Sequence, residues 1–299
     1  MADGATAPLK GSDANRKPDL ILISQDIQYG PLDWRDVHAV GEMKIRNTAK
    51  TRKKSYIEAA GKTALLLYAQ DGRHSAPCLQ ILGTSVVLTF FDRGGSLSTA
   101  PIDIHKHPEE FLRVLIGLAW ASRGHLGFDE TLIWRKDGTK CMLVVWEGEV
   151  NEVTLEKLIF ISNALHGRGS TVWRAGLRPV SSEPSDPLRQ VVVKDSWIDP
   201  LRKFSEGSIL ARLNTTGIKG VPKLICEQQV QGPHLSRPDL KVNKSTHFIR
   251  TLLPDIAARP YHVHTLSRLI TKPVGQTILE FSSLAELLLA FIDYVLSEC

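Results

Sequence analysis

The chain has 299 residues, of which 42% are hydrophobic and 23% charged, and its formal net charge is +5 at pH 7. At roughly 100–200 residues per domain, this is one large domain or two ordinary ones, with ample apolar surface for a core. The composition excludes collagen, coiled coil, a disulfide miniprotein and a mostly disordered chain, and the mild positive excess suits phosphates or nucleic acid without proving either.

Residues 1–16 are small and polar and predict a disordered lead-in without the apolar stretch of a signal peptide. Leu20–Ser24 and Val37–Lys44 read as strands, with the turn residues of YGPLD between them. Ser55–Gln70 reads as a helix that Gly61 weakens. Cys78–Leu82 and Val86–Phe91 read as a hairpin ending in DRGG. The clearest helix lies in PIDIHKHPEEFLRVLIGLAWASRG. Pro108 stands in its first turn, Glu109 and Glu110 complement the positive end of its dipole, and Gly124 offers a stop. Phe111, Leu112, Leu115, Leu118 and Ala119 keep helical spacing.

Further strands are expected at Cys141–Trp146, Leu158–Ser162 and Gln190–Asp195, and a short helix at Ser205–Leu213. Residues 228–246 are polar and read as a loop insertion, and Leu284–Leu296 reads as a final apolar helix. No run reaches 18 consecutive apolar residues, so no membrane partner is expected. Cys78, Cys141, Cys226 and Cys299 are far apart with no CxxC pair, which argues against structural zinc and a disulfide framework. The C-terminal SEC is not a prenylation signal. The expected compartment is intracellular, in cytoplasm or nucleus.

Two constellations carry chemistry. In the first, Asp19 begins one expected strand, and Glu42 and Lys44 end the next. Two residues apart on a strand, Glu42 and Lys44 share a face, and Asp19 reaches it if the strands pair. Two carboxylates and a lysine on one sheet surface suit Mg²⁺-assisted phosphodiester hydrolysis. Asp19 and Glu42 would be the metal ligands and Lys44 would position a water. The pattern resembles the PD-(D/E)xK motif of restriction-endonuclease-like folds. The plainer alternatives are a salt bridge at a sheet end or a nuclease-like fold that does not cut. The basic run Lys44, Arg46, Lys50, Arg52, Lys53 and Lys54 follows, with no acid in residues 44–54. It suits a nucleic-acid backbone or a solvated loop alike.

The second constellation starts in HGRGSTVWRA, where Gly167, Gly169 and Val172 make a GxGxxV loop whose backbone would approach phosphates without an intervening side chain. Lys194 closes the apolar strand VVVKDSW and would reach the α- and β-phosphates of ATP. Glu206, in SEGSILARL, would pair with it. Loop, lysine and glutamate stand in the order of a protein-kinase N-lobe. GVPKL (220–224) fits a following strand, and SRLITKPVG (267–275) fits a strand and hinge.

These stretches, with KPDLILI, VGEMK, DIHKHPEEFLRVLIGLAW and FSSLAELLLAFIDYVL, resemble the fungal-type protein kinase family over roughly residues 17–296. The resemblance implies an N-terminal extension before a kinase domain, and nucleotide binding by Gly167, Gly169, Val172, Lys194 and Glu206, with ATP as cofactor and Mg²⁺ beside it. The expected architecture is α+β (mixed α/β). A nuclease-like domain at 17–152 precedes a partial kinase-like domain at 153–299, comprising N-lobe, hinge and first C-lobe helices. No HRD-like segment or DFG follows Glu206. The carboxylates that support phosphoryl transfer are therefore not found, and the expectation is a truncated, inactive or pseudokinase-like protein. The competing readings are a metal-dependent nuclease or nucleic-acid-binding module in the first half, and a non-catalytic scaffold. The helix at 284–296 is apolar on most faces, so an exposed patch with a protein partner is expected there.

Overall fold

The computed structural model of the protein describes residues 9–11, 16–24, 32–183, 185–234, 237–251, 261–276 and 280–297. Most of the expected lead-in, Tyr29–Pro31 of the expected turn, and Cys299 lie outside them. The fold is mixed α/β, with two large sheets and a two-stranded ribbon among the described residues.

The first sheet contains β1 (Leu20–Ile23), β2 (Val37–Lys44), β3 (Ser75–Leu82), β4 (Ser85–Asp92), β5 (Gly95–Ser98) and β6 (Ile102–Asp103). Its order is β1-β2-β3-β4-β5, with β6 paired to β4. Only β2 and β3 are parallel, because α1 (Ala49–Ala69) carries the chain back between them. Alternation along the strands sends Ile21, Val40, Ala76 and Cys78 into a core with Ala59, Leu66 and Leu67 of α1. The opposite face presents Leu79 and Val86 to Phe111, Leu115 and Leu118 of α2 (Pro108–Ala119).

Two helix limits differ from expectation. α1 begins at Ala49, ahead of Ser55, because Thr48 and Thr51 form a reciprocal cap: each side chain accepts the other's N–H, at 3.2 and 2.8 Å. The basic residues of this first turn show no apolar period to announce it. α2 stops before Gly124, where Trp120 N–H donates to Ile116 O at 2.9 Å. Leu112 points outward at 53% exposure, so the helix buries a narrower stripe than its spacing suggests.

The second sheet is antiparallel throughout. It contains β7 (Ile133–Trp134), β8 (Lys140–Trp146), β9 (Glu149–Ile161), β10 (Thr171–Pro179), β11 (Arg189–Ile198), β12 (Lys223–Gln229) and, after an insertion, β15 (Thr265–Lys272). The order is β12-β15-β11-β10-β9-β8-β7. One face buries Met142, Val144, Val153, Trp173, Val191, Val193 and Ile270. Helix α3 (Glu206–Thr215) links β11 to β12. Positions 152 and 153, the expected domain limit, both lie within β9, and β7 and β8 before it belong to the same sheet. The motifs that suggested the limit mark the loop after β9; they carry no information about where the sheet starts.

Residues 228–246 are not a plain loop. The end of β12 is followed by a ribbon of β13 (Gln231–His234) and β14 (Arg237–Asn243), registered Gln231↔Asn243 and Gly232↔Val242. Pro233 and the polar composition hide it, since proline fits an isolated edge where no further strand needs its N–H. Helix α4 (Thr246–Thr251) follows, and α5 (Leu284–Ser297) is the last element. On α5, Leu284, Leu288, Leu289, Phe291 and Ile292 are exposed. Among the described residues, no helix is long and apolar enough to cross a membrane.

Buried arginines join elements that lie far apart in the chain. Arg73 holds no carboxylate in its contacts. Its guanidinium donates to Ser75 O, Val37 O, His38 O, Leu126 O and Gln70 Oε1, and it lies 4.5 Å over the Phe128 ring. Burial and nearby Arg123 lower its pKa to about 9. Arg268 of β15 donates to both Asp195 oxygens, at 2.8 and 2.7 Å, and to Asp129 Oδ2 at 3.1 Å. Arg250 of α4 makes a two-pronged pair with Asp92 at the end of β4.

Candidate functional site

Strand register places four side chains in a row across the second sheet. Val172 is opposite Lys194, Lys194 opposite Leu269, and Leu269 opposite Glu227. Directly opposed residues share a face, so this row lies on the side away from the apolar core. Helix α3 is N-capped by Ser205, whose Oγ accepts the Ser208 N–H at 3.0 Å. The cap sets Glu206 in the first turn, against that face. Lys194 Nζ donates to both Glu206 oxygens at 2.7 Å. Ser205 and Ser267 hydroxyls both donate to Glu227. A small cavity beside these groups, about 10 Å³, is lined by Arg168, Lys194, Ser196, Arg202, Glu206 and Glu227, among others. A lysine held by a helix carboxylate at a cavity edge, with arginines beside it, presents donors of the kind that bind anionic oxygens.

The glycine loop lies between β9 and β10, and Val172 belongs to β10 itself. Gly167 and Gly169 both take positive φ, +98° and +45°, which a side chain would strain. What approaches these glycines is Arg93, from the DRGG turn of the first sheet. Gly167 N–H donates to Arg93 O at 2.9 Å, and a Cβ on Gly169 would overlap the Arg93 side chain. Arg93 Nη1 donates in turn to Ala164 O, and to Leu165 O at 3.4 Å. Burial lowers the Arg93 pKa to about 10, against the pull of Asp92. The loop's glycines thus serve a contact between the sheets that the spacing of the motif does not reveal. The one available signal is the DRGG turn, with its own arginine among glycines.

The structure brings Asp19, Glu42 and Lys44 together at one end of the first sheet, and adds Glu58 and Lys62 of α1. Asp19 Oδ2 accepts the Met43 N–H at 2.7 Å. Lys44 Nζ lies 2.6 Å from Glu58, 3.4 Å from Glu42 Oε2 and 4.0 Å from Asp19. Glu42 is fully buried, and its Oε1 accepts from Lys62. Burial raises the Glu42 pKa, with Asp19 adding to it and the two lysines opposing. Lys62 sits one turn after Glu58, so both face the sheet; that spacing was the signal for it. Ammonium groups engage both Glu42 oxygens, and no cluster of three or more potential metal-ligating residues forms among the described residues. A hard cation that wants six oxygens does not fit Asp19 and Glu42 as arranged.

Of the basic run, Arg46 lies in the loop before α1, and Lys50, Arg52, Lys53 and Lys54 in its first turns. Arg52 Nη1 donates to Asn47 Oδ1 at 2.9 Å, and Lys54 lies 3.8 Å from Glu58.

No curated protein and no solved structure matches the chain. The family model described as fungal protein kinase matches residues 17–297, which takes in both large sheets and α1 to α5. With a lysine–glutamate pair between β11 and α3 inside that span, the chain belongs to the fungal protein kinase family.

Proposed function

We propose that the second sheet with α3 binds ATP, with Lys194 on the phosphates and Glu206 holding Lys194. The observation that carries this is the Lys194–Glu206 pair, two 2.7 Å hydrogen bonds between residues whose order in the chain suggested it. Val172, directly across the ladder from Lys194, would pack against the base side of a bound nucleotide; its position beside Lys194 supports this reading. When bound, Mg²⁺ would spread the charge of the phosphates. Nucleotide binding is as far as these residues carry the family's serine/threonine chemistry, since no HRD-like or DFG segment stands in the 299 residues. Calorimetry with MgATP tests the proposal. Lys194→Ala is expected to weaken binding about tenfold or more. An affinity that Lys194→Ala leaves unmoved overturns it.

A second reading concerns the first sheet: a restriction-endonuclease-like arrangement that does not cut. Lys62 on Glu42 favours it, because the carboxylate a metal would need is already neutralised. Incubation with DNA and Mg²⁺ is expected to leave the DNA intact. Cleavage that Glu42→Ala and Lys44→Ala abolish would overturn this reading.

A further inference from the structure

Arg168 stands between Gly167 and Gly169, and its side chain reaches toward α3. Its Nη2 lies 3.4 Å from Glu206 Oε2, the carboxylate that also holds Lys194. Two cations therefore share one glutamate at the cavity edge. The other carboxylate of the cavity, Glu227, is taken up by the hydroxyls of Ser205 and Ser267, and Arg202 adds a third cation to the lining. Positive charge is left over at this wall.

The loop that carries Arg168 is fixed from two sides. Trp197 N–H donates to Arg168 O at 2.7 Å from the end of β11, and the Ser170 and Ser196 hydroxyls are 2.9 Å apart. From the first sheet, Arg93 takes the Gly167 N–H on its carbonyl and grips the carbonyls of Ala164 and Leu165. The hollow under the glycines is thus already filled, and it is lined with carbonyl oxygens that suit a guanidinium and repel an anion. A phosphate cannot use the Gly167 amide while Arg93 holds it. Arg168 is the cationic side chain that the loop brings to the cavity.

We propose that Arg168 is a phosphate-binding residue of this site, and that Arg93 is the positioning residue that holds the loop so that Arg168 faces Lys194 and Glu206. This deepens the ATP reading and rests on it. A guanidinium on a flexible loop would lose much of its binding energy to ordering, and a clamped loop has already met that cost.

The test compares ATP and adenosine binding to the full chain by calorimetry, with Mg²⁺ present. Arg168→Ala is expected to weaken ATP about tenfold and leave adenosine unchanged, because only ATP has phosphates to lose. Arg168→Lys should fall between wild type and Arg168→Ala. Arg93→Ala should speed hydrogen exchange of the amides of residues 164–167 and weaken ATP less than Arg168→Ala does. ATP affinity unchanged in Arg168→Ala, or an equal loss for ATP and adenosine, overturns the role of Arg168. Loop amides as protected in Arg93→Ala as in wild type overturn the role of Arg93. Wild-type protein that binds neither ligand overturns the nucleotide reading itself, and this inference with it.

Discussion

Replacing Arg268 by leucine is expected to cost about 3–5 kcal/mol of stability, the usual penalty for leaving a buried charge without its partner. Asp129 and Asp195 have 1% and 8% side-chain exposure beside an arginine at 2%, so water cannot take the place of the guanidinium. The state of Asp129 gives an independent magnitude. Burial works to raise this carboxyl, but His74 and Arg268, with the Thr131 donors, overcome it and hold the pKa down from 3.8 to about 2. At 1.36 kcal/mol per pKa unit, that difference is worth about 2 kcal/mol. The folded-state pKa is the lower one, so this contribution is fully present above about pH 4 and is lost as the pH falls through about 2. Urea denaturation of wild type and Arg268→Leu at pH 7 and at pH 3 measures both effects. The difference between the two proteins should shrink at the lower pH, as Asp129 takes up its proton more readily in the variant. A loss under about 1 kcal/mol at pH 7, or a loss equal at both pH values, would refute the assignment of this cluster as a charge-paired lock between β11, β15 and the segment before β7.

Gly169→Ala should destabilise by about 1–2 kcal/mol through its positive φ alone, and more because the added methyl meets Arg93; an unchanged melting temperature would contradict this. Thr48→Ala removes the N-cap of α1 and should cost about 1 kcal/mol in a denaturation series, with Thr48→Ser close to wild type. The exposed leucines, Phe291 and Ile292 of α5 should make the protein associate as its concentration rises, and Leu288→Asp should reduce this in sedimentation runs. A monodisperse monomer at every concentration would speak against that patch as a contact surface.

Local chemistry made much of the fold legible. β2 matches its expected span because VHAVGEMK combines β-branched residues with turn signals ahead of it. Lys194 and Glu206 were legible as a pair because the strand, the Ser205 cap and the helix lie close in sequence. Signals carried by distant partners were not. Arg93 meets the glycine loop across 71 residues, and no periodicity links a turn in one sheet to a loop in another. β9 was seen only in its second half, since Glu149–Leu155 mixes polar and apolar residues on a strand with neighbours on both sides. The long polar stretch at 228–246 looked unstructured because a two-stranded ribbon needs little apolar surface.

Arg73 has a consequence for how freely the surrounding sequence can drift. Four of its five acceptors are backbone carbonyls, supplied by positions 37, 38, 75 and 126. Any amino acid presents a carbonyl, so this junction dictates the path of the chain there without dictating its side chains. Position 73 has no such latitude. Lysine carries three donors on a single nitrogen and cannot reach oxygens arranged around a planar fork. One residue is fixed so that these four positions need not be, and beyond the hub the junction asks for a particular side chain at Gln70 and under the guanidinium at Phe128.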